Sequence, residues 1–173
     1  MQRLVAEAAP NARCGSDADA AKSSEVVLVS TPWDTTKEAL ESAGDLTGKI
    51  LIDATNPLLP GLEGLSFGCN ISAGEKVAEW ARGAQVVKAF NTVGFNIMAD
   101  PQFEAGPVAM FYCGDDPKAK DVVAGLITEL GFEAFDAGPL KQARVLEPFA
   151  MLWITLAMEF GYGRDIAFGF LRR

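Results

Sequence analysis

The stretch VVLVSTPWDTTKEAL, residues 26–40, decides the fold. Four apolar residues without polar alternation, Val26 to Val29, lead into the small polar turn Ser30-Thr31-Pro32-Trp33, and helix punctuation follows. Thr35 and Glu38 stand at capping-box spacing, and Gly44 sits where a C′ glycine would end the helix. An unbroken β-branched run suits a strand covered on both faces, and a strand feeding directly into a helix is the opening of a crossover.

The same pattern recurs down the chain. Ile50-Leu51-Ile52, Val86-Val87 through Ala89-Phe90, and Val108 to Tyr112 are further strand candidates, with a weaker one from Phe132 to Phe135. Between them, Ser72 and Glu75 repeat the capping-box spacing ahead of Gly83, and Asp115-Asp116-Pro117 places an N-cap acid before a first-turn proline, with Gly131 closing the helix. Alternating strands and helices predict an α/β, Rossmann-like doubly wound parallel sheet over residues 1–139, followed by a C-terminal helical segment, 140–173. A longer helix is expected from Leu140 to Phe160. Phe149, Leu152, Trp153, Leu156 and Phe160 form one face, and Ala150, Met151, Ile154, Ala157 and Met158 make the other side apolar too. Such a helix is either a central core helix or one that packs on the domain with one face and on a partner or ligand with the other.

Composition narrows the function. The 173 residues carry 15 Lys and Arg against 23 Asp and Glu, net −8, with no basic cluster beyond Arg172-Arg173, which argues against nucleic acid as a partner. There is no histidine, so a Ser-His-Asp triad and His-based metal chemistry are excluded. Cys14, Cys69 and Cys113 lack C-x-x-C spacing and read as reduced thiols. The apolar run from Phe149 to Met158 is far short of the roughly 20 residues that span a bilayer, and MQRLVAEAAP has no signal-peptide character. The expectation is a soluble, cytoplasmic protein without a membrane partner.

In open α/β sheets ligands bind beyond the carboxyl ends of the strands. Those ends read Ser30-Thr31-Pro32-Trp33, Asp53-Ala54-Thr55-Asn56-Pro57, Asn91-Thr92-Val93-Gly94, Cys113-Gly114-Asp115-Asp116 and Asp136-Ala137-Gly138-Pro139. Hydroxyls and carboxamides there can bond a ribose or a nicotinamide carboxamide, and Pro32-Trp33 offers a flat apolar wall. Gly161-Tyr162-Gly163, the one Gly-x-Gly, follows a long helix and has Ile166 where a third glycine belongs, so it reads as a helix-ending turn and not as a phosphate loop. Lys88 reads as a strand-end snorkel, Asp115-Asp116 as a cap rather than a metal site, Glu147 as a structural partner of Arg144 or of another chain, and Cys113 as a buried thiol. No catalytic and no metal-binding residue is assigned.

Taken in order, "VVLVSTPWDTTKEAL", "KILIDATNPLLPG", "QVVKAFNTVGFNIMADP", "MFYCGDDPKAK", "FDAGPLKQARVLEPFAMLW" and "GRDIAFGFLRR" resemble the NADP oxidoreductase family that includes the coenzyme F420-dependent NADP reductases. The resemblance implies a Rossmann domain with a short C-terminal helical part, a homodimer, and hydride transfer between NADP(H) and a deazaflavin (coenzyme F420), a flavin or another small redox acceptor. It places Thr31, Pro32 and Trp33 along the NADP, and Asn56, Pro57, Asn91 and Thr92 beside the nicotinamide. Where the F420 reductases carry a histidine near the end of the third strand, this chain has Asn91. Relatives with this core also reduce ferric chelates.

The family opens with a strand, a glycine loop, a helix and a second strand, whereas MQRLVAEAAPNAR resembles the tail of the helix after them. In the order 3-2-1-4-5-6 that arrangement leaves the strand from Val26 to Ser30 without its central neighbour, exposes an apolar edge, and predicts weak NADP binding and self-association by this chain. The alternative reading is a catalytically inactive, truncated nucleotide-fold protein acting as a binding or dimerisation module. A pyrroline-carboxylate or hydroxyacid dehydrogenase relative would need a longer helical domain than the residues after Asp136 supply.

Overall fold

A computed structural model describes residues 11–173; of the helix tail expected over MQRLVAEAAPNAR, residues 1–10 lie outside the described residues and 11–13 are not helical. Five strands, β1 (Val26–Val29), β2 (Ile50–Asp53), β3 (Gln85–Lys88), β4 (Ala109–Gly114) and β5 (Glu133–Asp136), form one sheet in the order β1-β2-β3-β4-β5. Their connections carry α2 (Trp33–Ala43), α3 (Ala73–Trp80), α4 (Phe95–Ala99) and α5 (Pro117–Glu129); α1 (Asp17–Ser23) precedes β1, and α6 (Ala143–Met158) follows β5. The fold is α/β and Rossmann-like.

The unbroken apolar runs behave as both-face burial requires. Leu51 and Val86 point into a core with Leu40, Leu46 and Val77. Their neighbours Ile52 and Val87 point the opposite way, into a core with Phe90, Met110, Val123 and Ile127. β1 is one of the two edge strands among those described, and Leu28 on it is 57% exposed, so an apolar side chain stands free there.

Of the three helix starts read from the sequence, two follow the expected capping chemistry. Ser72 and Glu75 make the reciprocal capping box of α3, and the Asp116 carboxylate accepts from the Ala119 N–H behind Pro117. Thr35 caps nothing. Pro32 is the N-cap of α2, and the hydroxyls of Thr35 and Thr36 donate to the Pro32 carbonyl at 3.0 and 2.9 Å. The proline ring fixes the entry geometry, so the helix begins earlier than the capping-box spacing suggested.

The sheet is not wholly parallel. β3 and β4 are antiparallel and pair only through Val87 with Gly114 and Lys88 with Cys113, while β1-β2, β2-β3 and β4-β5 are parallel. The connection after β3 holds only the five-residue α4 and does not return the chain to the starting edge. β4 and β5 therefore run the other way. Of the five strand-end loops, those after β1, β2 and β3 share an edge, and those after β4 and β5 point to the opposite one. Gly161 and Gly163, both at positive φ, lie in the turn just beyond α6 and follow a helix, not a strand.

The long helix is one-sided where a uniformly apolar surface was expected to be covered twice. Ala143, Leu146, Glu147, Ala150, Trp153 and Ala157 face inward, whereas Val145, Leu152 and Met158 are about half exposed or more. After α6 the chain runs back without regular structure: Ile166 O accepts from Trp153 Nε1 at 2.8 Å, and Phe168 O from the Ala109 N–H at 2.9 Å.

Candidate functional site

Two adjoining clefts open on the edge shared by the ends of β1, β2 and β3. The larger, about 660 Å³, is bounded by Thr31, Pro32, Trp33, Asp34 and the Leu58–Ser66 loop. The smaller, about 440 Å³, is apolar, walled by Leu28, Phe90, Val93, Phe95, Met98 and Leu130. Ser30, Ala54 and Asn56 line both, so they form the saddle between a half of mixed lining and a mainly apolar half.

Two carboxamides meet at this saddle. Asn56 Nδ2 donates to the Asn91 carbonyl at 2.9 Å, and Asn91 Nδ2 donates to Asn56 Oδ1 at 3.1 Å and, more weakly, to the Leu146 carbonyl of α6 at 3.4 Å. Asn91 is 5% exposed, and its Oδ1 has no hydrogen-bond partner among the described residues. A buried acceptor without a donor is costly, which sets this oxygen apart from the satisfied polar atoms around it.

The other expected residues divide. Thr31 and Pro32 line the larger cleft, with Thr31 Oγ1 tied to Thr36 Oγ1 at 3.0 Å. Trp33 lines it too, but one ring face is already stacked on Trp80 at 5.2 Å and Phe67 abuts it edge-on at 5.5 Å, so it is a braced wall rather than a bare one. Pro57 and Thr92 are buried and line neither cleft; the Thr92 hydroxyl faces Met110 Sδ at 4.0 Å.

Two features of the site went unread in the sequence. Phe90, the hinge by which the chain leaves β3, has φ 62°, a left-handed conformation that a bulky side chain adopts only when its surroundings hold it there. Beneath the saddle lies an ionic cluster. Lys88 Nζ, fully buried and not snorkelling, donates to Asp53 Oδ2 at 2.9 Å and to the Thr55 carbonyl at 2.6 Å and forms an ion pair with Glu147 Oε1 at 3.1 Å. Asp53 Oδ1 takes the Thr55 N–H at 2.9 Å and its hydroxyl at 2.7 Å.

Glu147 pairs with Lys88, not with Arg144, which instead grips Glu75. Gly74 makes that possible: a Cβ there would sit 3.0 Å from Ala143 Cβ, so the start of α3 and the first turn of α6 approach as only small residues allow. One turn after Ala143, the Glu147 carboxylate accepts from the Ala73 and Gly74 N–H groups at 2.9 and 3.0 Å. Burial pulls the Lys88 ammonium down, but Asp53 and Glu147 outweigh it and the net shift is upward, holding the charge. Burial pushes the Glu147 carboxyl up, opposed by Lys88 and the two amides. Two carboxylates against one ammonium leave a formal −1, which the positive end of α3 offsets.

No group of three or more His, Cys, Asp or Glu side chains suited to a metal occurs among the described residues, and none of their helices is long and apolar enough to cross a membrane. All three cysteines are free, Cys113 buried and the others exposed.

Comparison with known proteins gives this geometry a context. Residues 1–57 match the family described as NADP oxidoreductase, coenzyme F420-dependent. The chain is 31% identical to the F420-dependent NADP reductases of Methanocaldococcus jannaschii, over 82% of this chain and 66% of that protein, and of Methanothermobacter marburgensis, over 83% and 67%. A crystal structure described as a candidate F420-dependent NADP-reductase from Arthrobacter sp. FB24 superposes with a TM-score of 0.83 at 34% identity, over 90% of this chain and 73% of that one. The chain belongs to the coenzyme F420-dependent NADP oxidoreductase family. It spans about two thirds of the length of its two methanogen relatives. Within this family frame the two clefts fall on the sheet edge where an α/β fold takes its ligand.

Proposed function

We propose that the saddle holds the nicotinamide end of NADP(H), and that the protein passes hydride between NADP(H) and a deazaflavin, a flavin or another small redox acceptor. The observation that carries this reading is the unpartnered Asn91 Oδ1, on a buried residue in the wall of the apolar cleft, bonded to Asn56 of the saddle. The donor set fits: a carboxamide N–H satisfies Asn91 Oδ1, the hydroxyls of Ser30 and Thr31 suit a ribose, and a planar ring suits the apolar cleft. NADPH, when bound, supplies the hydride.

The chain's own residues orient and exclude water. Asn56 fixes the Asn91 side chain, so the free oxygen keeps one direction. Phe90, Val93 and Met98 make a wall on which two rings can stack, and among the described residues no ionisable side chain lines the apolar cleft. Hydride transfer between stacked rings needs orientation and a dry surface, and no general base, in keeping with a chain that lacks histidine. The proposal includes a homodimer formed through the exposed apolar residues of α6, Val145, Leu152 and Met158.

Saturation-transfer NMR with NADPH tests the site. The nicotinamide protons are expected to receive saturation from the wild-type chain and to lose most of it in Asn91→Leu, which keeps the volume and removes the acceptor. Saturation of the adenine ring alone, or an unchanged pattern in the variant, refutes the assignment.

A further inference from the structure

The ionic cluster lies one step behind each residue that shapes the saddle. Asp53 precedes the turn that ends in Asn56, Lys88 precedes strained Phe90 and Asn91, and Glu147 follows Leu146, whose carbonyl holds Asn91. We infer that Lys88, Asp53 and Glu147 act as positioning residues that hold the Asn56–Asn91 carboxamide pair in register, with Thr55 as the relay.

Lys88 and Asp53 seize Thr55 from both sides, the ammonium on its carbonyl and the carboxylate on its N–H and hydroxyl, so the residue before Asn56 has no freedom to turn. Glu147 ties the same ammonium to α6 and, through Ala73 and Gly74, to α3. Four elements, β2, β3, α3 and α6, thus share one electrostatic node directly under the pair. A fully satisfied buried polar network fixes one arrangement where apolar contacts would allow several. Replacing the cluster by apolar side chains would leave the core packed and the carboxamides loose.

The inference that the pair faces a ligand rests on the reading above; the inference that the cluster positions the pair does not. The test therefore has two readouts. The side-chain amide signals of Asn56 and Asn91 in the ¹⁵N-labelled chain, assigned with Asn56→Ser and Asn91→Ser, report the pair without any ligand, and titration with NADPH reports binding. Thr55→Val removes one relay bond at nearly constant volume, and Lys88→Met removes the node; Ile127→Val, a fully buried change in α5 on the far core, serves as the control. Expected in Thr55→Val are displaced carboxamide signals with faster hydrogen exchange and NADPH affinity about tenfold weaker, the loss that one mispositioned hydrogen bond of about 1.4 kcal/mol produces. Lys88→Met is expected to do the same more strongly wherever it stays folded, and the control to leave the signals in place. Signals that move no more in Thr55→Val than in Ile127→Val overturn the positioning role. Signals that move while NADPH affinity stays unchanged uphold it and count instead against the nicotinamide assignment.

Discussion

Replacing Glu147 by alanine is expected to destabilise the chain by about 5 kcal/mol. The side chain is 2% exposed and holds three donors: Lys88 Nζ at 3.1 Å and the Ala73 and Gly74 N–H groups at 2.9 and 3.0 Å. Breaking a buried ion pair from one side costs about 3–5 kcal/mol. Lys88 keeps Asp53 and the Thr55 carbonyl, so the lower figure applies. Each stranded amide adds about 1 kcal/mol at the low end of the range for an unsatisfied buried donor. The sum is comparable to the whole stability of a marginal domain, about 5–15 kcal/mol. Urea unfolding followed by tryptophan fluorescence measures it: with a slope of about 2 kcal/mol per molar, the midpoint should fall by about 2.5 M. Glu41→Ala, which breaks the exposed i,i+4 pair with Lys37, serves as the reference and should shift stability by less than about 0.5 kcal/mol. A Glu147→Ala loss below about 1 kcal/mol would refute the view that this carboxylate joins α6 to the sheet, and would show that Asp53 and the Thr55 carbonyl satisfy the ammonium without it.

Three further outcomes follow from particular contacts. Arg144 first, with the Ser72 hydroxyl, holds the Glu75 carboxyl down to about 2 from its ordinary 4.5 against the opposing effect of burial, so its contribution is complete above about pH 4.5 and is lost as pH falls toward 2. Urea midpoints compared at pH 6 and pH 3 should drop further in the wild type than in Arg144→Gln, and equal drops would contradict the pairing. Burial pushes the Cys113 thiol up to about 12, and it is wholly enclosed, so Ellman's reagent should titrate Cys14 and Cys69 in the native chain and Cys113 only after denaturation. At Gly94 a Cβ would lie 2.8 Å from Trp153 Cη2, so Gly94→Ala should cost about 1–3 kcal/mol by overpacking, read as a lowered thermal midpoint and a shifted Trp153 emission.

What was legible in the sequence was local. The strand runs, the Ser72–Glu75 box, the Asp116-Pro117 start and the turn at Gly161-Tyr162-Gly163 each depend on residues within a few positions of one another, and each stands where periodicity and capping chemistry put it. Strand direction is not local: nothing in MFYCG says that β4 enters from the far end, and that reversal moved the loops at Asp115-Asp116 and Asp136 away from the cleft edge. The family resemblance, carried by ordered strand-end pieces, supplied the NADP context that spacing alone does not contain.

Lys88 shows why the rest stayed hidden. A lysine between Val87 and Ala89 is costly in a covered strand, and a sequence offers two escapes, a stem that snorkels to water or a partner brought from elsewhere. Asp53 alone would have been half an answer. The rest comes from Glu147, distant in the chain and beside a proline that makes its segment look like a break rather than a helix interior, although α6 runs through Pro148 without ending. Only the close approach of Gly74 and Ala143 brings that carboxylate to the ammonium, and small residues carry no charge pattern by which they could be noticed. The carboxamide pair has the same logic: Asn56 and Asn91 are each ordinary turn residues, and become hydrogen-bonded partners only when β2 and β3 lie side by side.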